Sequence, residues 1–105
     1  MSKISVIARL VSKPETNAQV KEVFEGLVAS TAGEDGTEVY VFNQDTSDPN
    51  IFWFFELYSD MDALGTHSGS AAMANAFTVL ADALAEPPAL HVLNPLQAKG
   101  LTVTA

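Results

Sequence analysis

The sequence predicts one α+β domain of the split β-α-β type, in the order β-α-β-β-α-β, with an antiparallel sheet and both helices on one face. Three observations predict it. Strand-like and helix-like periodicities alternate in that order, the turn-dense stretch NQDTSDPN separates two β-rich runs, and no repeat, low-complexity tract or linker interrupts the chain. At 105 residues, 48% of them apolar, the chain is long enough for one core and too short for two.

Ile4 to Val11 alternates as a strand, with Ile4, Val6, Ala8 and Leu10 on one face. Pro14, Thr16 and Asn17 open a helix in which Val20, Val23, Phe24, Leu27 and Val28 recur at helical spacing, and Gly33 and Gly36 end it. TEVYVF and IFWFFELY form a hairpin about the NQDTSDPN turn. Asp60 is placed to cap a short helix through Met61, Ala63 and Leu64. Ser68 or Ser70 caps a longer one to about Ala85, before Pro87 and Pro88. Ala89 to Leu93 is the last strand. The tail after Pro95 is an arm or an added edge strand.

The strands are apolar on both faces. Ile51, Trp53, Phe55 and Leu57 alternate with Phe52, Phe54, Glu56 and Tyr58, and the other strands repeat the pattern. Helices on one side leave the second apolar face exposed, which a soluble monomer rarely tolerates. The expectation is a twofold homodimer joined sheet to sheet, unless the tail covers the face.

Composition narrows the partners. Thirteen acidic residues against five Lys and Arg give a net charge of -8, which repels phosphate backbones and anionic lipid, so neither nucleic acid nor a membrane is an expected partner. No cysteine is present, which removes thiolate catalysis and thiolate metal sites. MSKISVIARL runs into polar VSKPETN without the pattern of a signal peptide, so the expected location is the cytoplasm. His67 and His91 have no companion at ligand spacing, GEDG and GTHSG match no nucleotide motif, and no cofactor or metal is declared.

Few residues remain for chemistry. GTHSGS fails as a nucleophile elbow because His67 stands where serine is needed. His67 is either a polar residue near a helix end or an acid/base; beside a helix starting near Ser70, the N–H groups of Gly69 and Ser70 would face an anion. Glu56, the single charge in its strand, either pairs with a cation such as Arg9 or becomes a proton carrier through desolvation. Tyr40 and Tyr58 are core residues or catalysts, Phe52 and Phe54 core or pocket wall, and Asn43 a turn residue or an oxyanion donor.

From Thr37 onward the ordered set Tyr40, Asp48-Pro49, Phe52, Glu56, Tyr58, Ala63-Leu64, His67 and Ser70 resembles the antibiotic biosynthesis monooxygenase (ABM) domain, and with the N-terminal strand and Pro14 the likeness covers nearly the whole chain. The resemblance implies a ferredoxin-like fold dimerised into an α/β barrel, with the ligand between sheet and helices and Phe52, Phe54, Glu56, Tyr58 and His67 around it. It further implies a cofactor-independent monooxygenase that oxidises a quinol-like or polycyclic aromatic molecule with dioxygen. His67 is then the base, Glu56 its partner or alternate, and Tyr58 or Asn43 the hydrogen bond to the oxyanion; Tyr40 and Ser70 join the substrate-binding set. Haem-degrading relatives use an Asn, a Trp and a His, where this chain has Ala8, Tyr58 and Phe77. Another branch resembles an isomerase of a phosphorylated quorum-sensing sugar, in which His67 and Glu56 would shuttle a proton. A non-catalytic dimer that binds a small aromatic ligand is the remaining reading.

Overall fold

The computed structural model describes residues 2–103. Its elements are β1 (Ile4–Val11), α1 (Asn17–Ser30), β2 (Thr37–Gln44), β3 (Ile51–Tyr58), α2 (Met61–Ser68), α3 (Ala71–Leu80) and β4 (Ala89–Leu93), with single 3-10 turns at Pro14–Thr16 and Thr31–Gly33 flanking α1. The strands form one antiparallel sheet of order β2-β3-β1-β4, the ferredoxin-like arrangement.

Register decides which side chains face the helices. Ile4, Val6, Ala8 and Leu10 of β1 lie opposite Tyr58, Glu56, Phe54 and Phe52 of β3, and all eight are buried. In β2 an irregularity between Thr37 and Val39 resets the alternation, so that Tyr40 pairs with Glu56 and Phe42 with Phe54. This apolar layer meets α1 through Phe24, whose ring makes edge contacts with Phe42, Phe52 and Phe54 at centroid distances of 5.5, 6.4 and 5.1 Å.

The second helical region is two helices. Asp60 caps α2 by accepting from the Ala63 N–H (2.8 Å), and Ser70 caps α3 by accepting from the Met73 N–H (3.2 Å). The α3 helix stops at Leu80, short of the expected Ala85, because the following residues return to β1: the Ala85 N–H donates to Val11 O, and Leu84 bridges to Ser12. Those bonds cannot be made by a chain that stays helical.

The other sheet face is apolar as its pattern predicts. Ile7, Val41 and Leu93 are exposed there, and Trp53 and Phe55 are half-buried. At one end, Lys3 Nζ donates to the tail carbonyl of Thr102 (2.9 Å) and pairs with Glu38 (2.7 Å), beside the buried Ser5 and Leu57. The tail thus reaches one end of the face and leaves its centre open. No helix among the described residues is long and apolar enough to cross a membrane.

One close approach fixes the turn before β2. A Cβ on Gly36 would stand 2.5 Å from the Ala63 Cβ of α2, and Gly36 O accepts from the Ser59 N–H. Gly36→Ala should cost about 1–3 kcal/mol, read as a lowered urea midpoint with unchanged slope; an unchanged midpoint would show that α2 yields without penalty.

Candidate functional site

His67 sits in the last turn of α2, over β2 and β3, and is 3% exposed. Its Nδ1 lies 2.7 Å from Glu34 Oε1. Glu34 follows the 3-10 turn after α1 and is held from both sides: its N–H donates to Thr31 O, and Thr37 Oγ1 donates to the same Oε1 at 2.8 Å. A carboxylate only accepts, so Nδ1 carries the proton and the lone pair of the neutral ring is on Nε2. Nε2 has no hydrogen-bond partner among the described residues, yet no buried side-chain nitrogen or oxygen there lacks one. It must therefore open onto free space.

His67 lines a cavity of about 210 Å³ between sheet and helices, the space available to Nε2. Tyr40, Phe54 and Glu56 line it from the sheet, His67 and Leu64 from α2, and Phe24 and Met73 from α1 and α3; Leu90 of β4 and Phe77 stand at its exposed side. Among the described residues no Lys or Arg lines it. A larger hollow, about 640 Å³, lies among tail residues such as Leu96 and Leu101, but it is a shallow open groove whose single charged side chain is Lys99.

Two phenols and a carboxyl group complete the polar set. Tyr58 is fully buried and donates to Glu56 Oε1 at 2.5 Å. Burial pushes the Glu56 carboxyl above the usual carboxylate range, against the opposing effects of the Tyr58 hydrogen bond and of His67. Burial first, then the hydrogen bond and charge of Glu56, raise the Tyr58 phenol far beyond ordinary; burial and the charges of Glu56 and Glu34 raise Tyr40. Both phenols keep their protons, and Tyr58 donates its own to Glu56. The Tyr40 ring packs 4.9 Å from Phe54 and 4.9 Å from His67.

The structure brings His67, Glu56, Tyr40 and Phe54 to one cavity and places the other sequence candidates elsewhere. Phe52 is wholly buried against Phe42 and is core. Tyr58 lies behind Glu56, not on the cavity wall. Asn43 pairs with Trp53 on the opposite sheet face, where its amide donates to Trp53 O at 3.0 Å, so it cannot serve an oxyanion in the cavity. Ser70 is committed to capping α3. The anion reading of GTHSGS also fails: residues 65–68 are helical, the Gly69 N–H donates to Gly65 O and the Ser70 N–H to His67 O, which leaves neither free. Arg9 pairs with Glu86 and lies over the Trp53 ring on the far face, and so is no partner of Glu56. Glu34 is the site residue that the sequence did not reveal. Among the described residues no group of three His, Asp or Glu side chains is arranged to hold a metal ion.

Residues 3–79 match the antibiotic biosynthesis monooxygenase family. The chain belongs to that family. It is 30% identical over 95 residues, 90% of this chain and 93% of the other, to "Putative monooxygenase Rv0793" of Mycobacterium tuberculosis. The structure of Rv0793 superposes with a TM-score of 0.87 at 28% identity, covering 92% and 98% of the two chains. A crystal structure of a "putative antibiotic biosynthesis monooxygenase" from Caulobacter crescentus CB15 gives 0.86 at 29% identity, covering 91% and 92%. These likenesses support a monooxygenase-type function on a small molecule for this ABM domain.

Proposed function

We propose that this ABM protein is a homodimeric monooxygenase that oxidises a small quinol-like hydroxyarene with dioxygen, without a metal or flavin, and that His67 is its base. One observation carries the reading: Glu34 holds Nδ1 of a His67 that lines an apolar cavity, which supports Nε2 as the proton acceptor there. Nε2 takes the phenolic proton, and the phenolate is electron-rich enough to add dioxygen at an ortho or para ring carbon that carries hydrogen, in a quinol the ortho carbon. The imidazolium returns the proton to the peroxide, and the hydroperoxide so formed loses its outer oxygen with the ring hydrogen as water and leaves a quinone. One oxygen atom enters the product and the other departs as water with two substrate hydrogens.

The wall fixes the ligand's character. Apolar side chains and the absence of Lys and Arg suit a flat uncharged molecule and leave a phosphorylated sugar without a counter-charge. A volume of about 210 Å³ is below the roughly 300 Å³ at which drug-sized pockets begin, which favours one or two fused rings over larger polycycles. The exposed Ile7, Val41 and Leu93 support pairing through the open sheet face.

The test is oxygen uptake by metal-free, flavin-free protein with phenols, hydroquinones and naphthols of increasing size. Uptake well above the spontaneous rate for one- and two-ring substrates, falling for larger ones, is the expected result. No uptake above that background across the panel would overturn the assignment.

A further inference from the structure

We infer that Glu56 works as a neutral carboxylic acid that donates a hydrogen bond through Oε2 to a ligand oxygen, so that the site selects molecules with a hydrogen-bond acceptor opposite the group that meets His67. The inference rests on the cavity being the ligand site, but not on the ligand being oxidised.

The two carboxyl oxygens of Glu56 have different surroundings. Oε1 is tied to the Tyr58 hydroxyl, which is fully buried and has no other partner among the described residues. Oε2 has none, and by the same absence of orphaned buried polar atoms it reaches the cavity that Glu56 lines. Among the described residues no Lys or Arg lines the cavity beside the group, and the favourable effect of His67 is outweighed by burial. Across the sheet it faces Val6 on β1 and Tyr40 on β2; its own strand contributes Tyr58, and α2 contributes His67 with Glu34 behind it. Tyr40 and Tyr58 hold their protons, Glu34 is another acid, and the Nδ1 proton of His67 is directed at Glu34 rather than at Glu56. A buried carboxyl without a counter-charge is most stable protonated, and the direction of its shift agrees.

With Oε1 accepting from Tyr58, the proton resides on Oε2 and points to the cavity. The site then offers a base, Nε2, and an acid, Oε2–H, on one small volume. A carboxylic acid kept neutral by an apolar site is a strong donor to an oxygen that gains negative charge. A ligand without that oxygen leaves the donor unsatisfied, which is the stronger form of discrimination.

The probes are 1-tetralone, which has a carbonyl acceptor and nothing to ionise, and tetralin, which has neither. Their affinities are measured by calorimetry from pH 5 to pH 9 for wild type, Glu56→Gln and Glu56→Met. Wild type should prefer tetralone at least ~10-fold at low pH, and the preference should fade as pH rises and Oε2 loses its proton. Glu56→Gln, which keeps an acceptor for Tyr58 and a donor for the ligand, should hold the preference at every pH; His67 is common to both proteins, so the difference isolates Glu56. Glu56→Met should abolish the preference and the downward infrared shift of the bound carbonyl. If the Met variant does not fold, the wild-type and Gln pH profiles decide. A wild type that does not discriminate, or whose tetralone affinity rises with pH, would overturn the inference while leaving the oxygenase reading to its own assay. If neither probe binds wild type at any pH, the cavity is not the ligand site, which overturns both.

Discussion

Replacing His67 with alanine should lower the turnover of a reactive small hydroquinone by about 10²–10⁴-fold, the usual contribution of a positioned general base. The loss should fall on kcat more than on KM, because the flat substrate is held by Phe54, Tyr40 and the aliphatic walls, which the substitution leaves in place. The fold should survive: Glu34 retains the Thr37 hydroxyl, and α2 retains its Asp60 cap. A matching circular dichroism spectrum with lost oxygen uptake separates chemistry from collapse. Undiminished turnover would remove the base from this ring.

The second large effect is structural. Phe24→Ala should destabilise the domain by about 3–5 kcal/mol, a large share of the roughly 5–15 kcal/mol that holds a domain folded. Phe24 is 1% exposed and is the one ring of α1 that meets three aromatic rings of the sheet at once. Its removal leaves a void between rigid rings that cannot close in. It also enlarges the ligand cavity, since Phe24 lines both core and cavity. Urea denaturation gives the value directly, and a loss below about 1 kcal/mol would mean that neighbouring side chains fill the space.

Much of this fold was legible because its signals are local. Alternation in Ile4–Val11 and Ile51–Tyr58 named the strands and sorted their side chains into two faces, though not which face meets the helices, and Asp60 and Ser70 cap the helices that follow them. GTHSGS misled because its glycines placed the end of the first helix near Leu64, ahead of His67. Gly65 is tolerated inside α2 at a cost of about 1 kcal/mol relative to alanine, and Gly69 alone separates the helices.

The site was half legible for the same reason. Glu56 declared itself as a lone charge in an apolar strand, but its partner, Tyr58, is set by geometry: two residues apart on one strand, they share a face and meet there. Glu34 gave no signal, because it stands 33 residues from His67 in an ordinary turn; only the packing of α2 on Gly36 brings the two together. Asn43 was separable in principle, since alternation with Tyr40 and Phe42 already puts it on the far face.

Nitrogen-15 NMR of His67 reads the orientation of its imidazole without a substrate. In the neutral ring of the wild type Nδ1 should be protonated and Nε2 pyridine-like, with that preference lost in Glu34→Gln, whose amide can donate as well as accept. A wild-type ring protonated at Nε2 would contradict His67 as the base, because the nitrogen facing the cavity would then have no lone pair with which to take a proton.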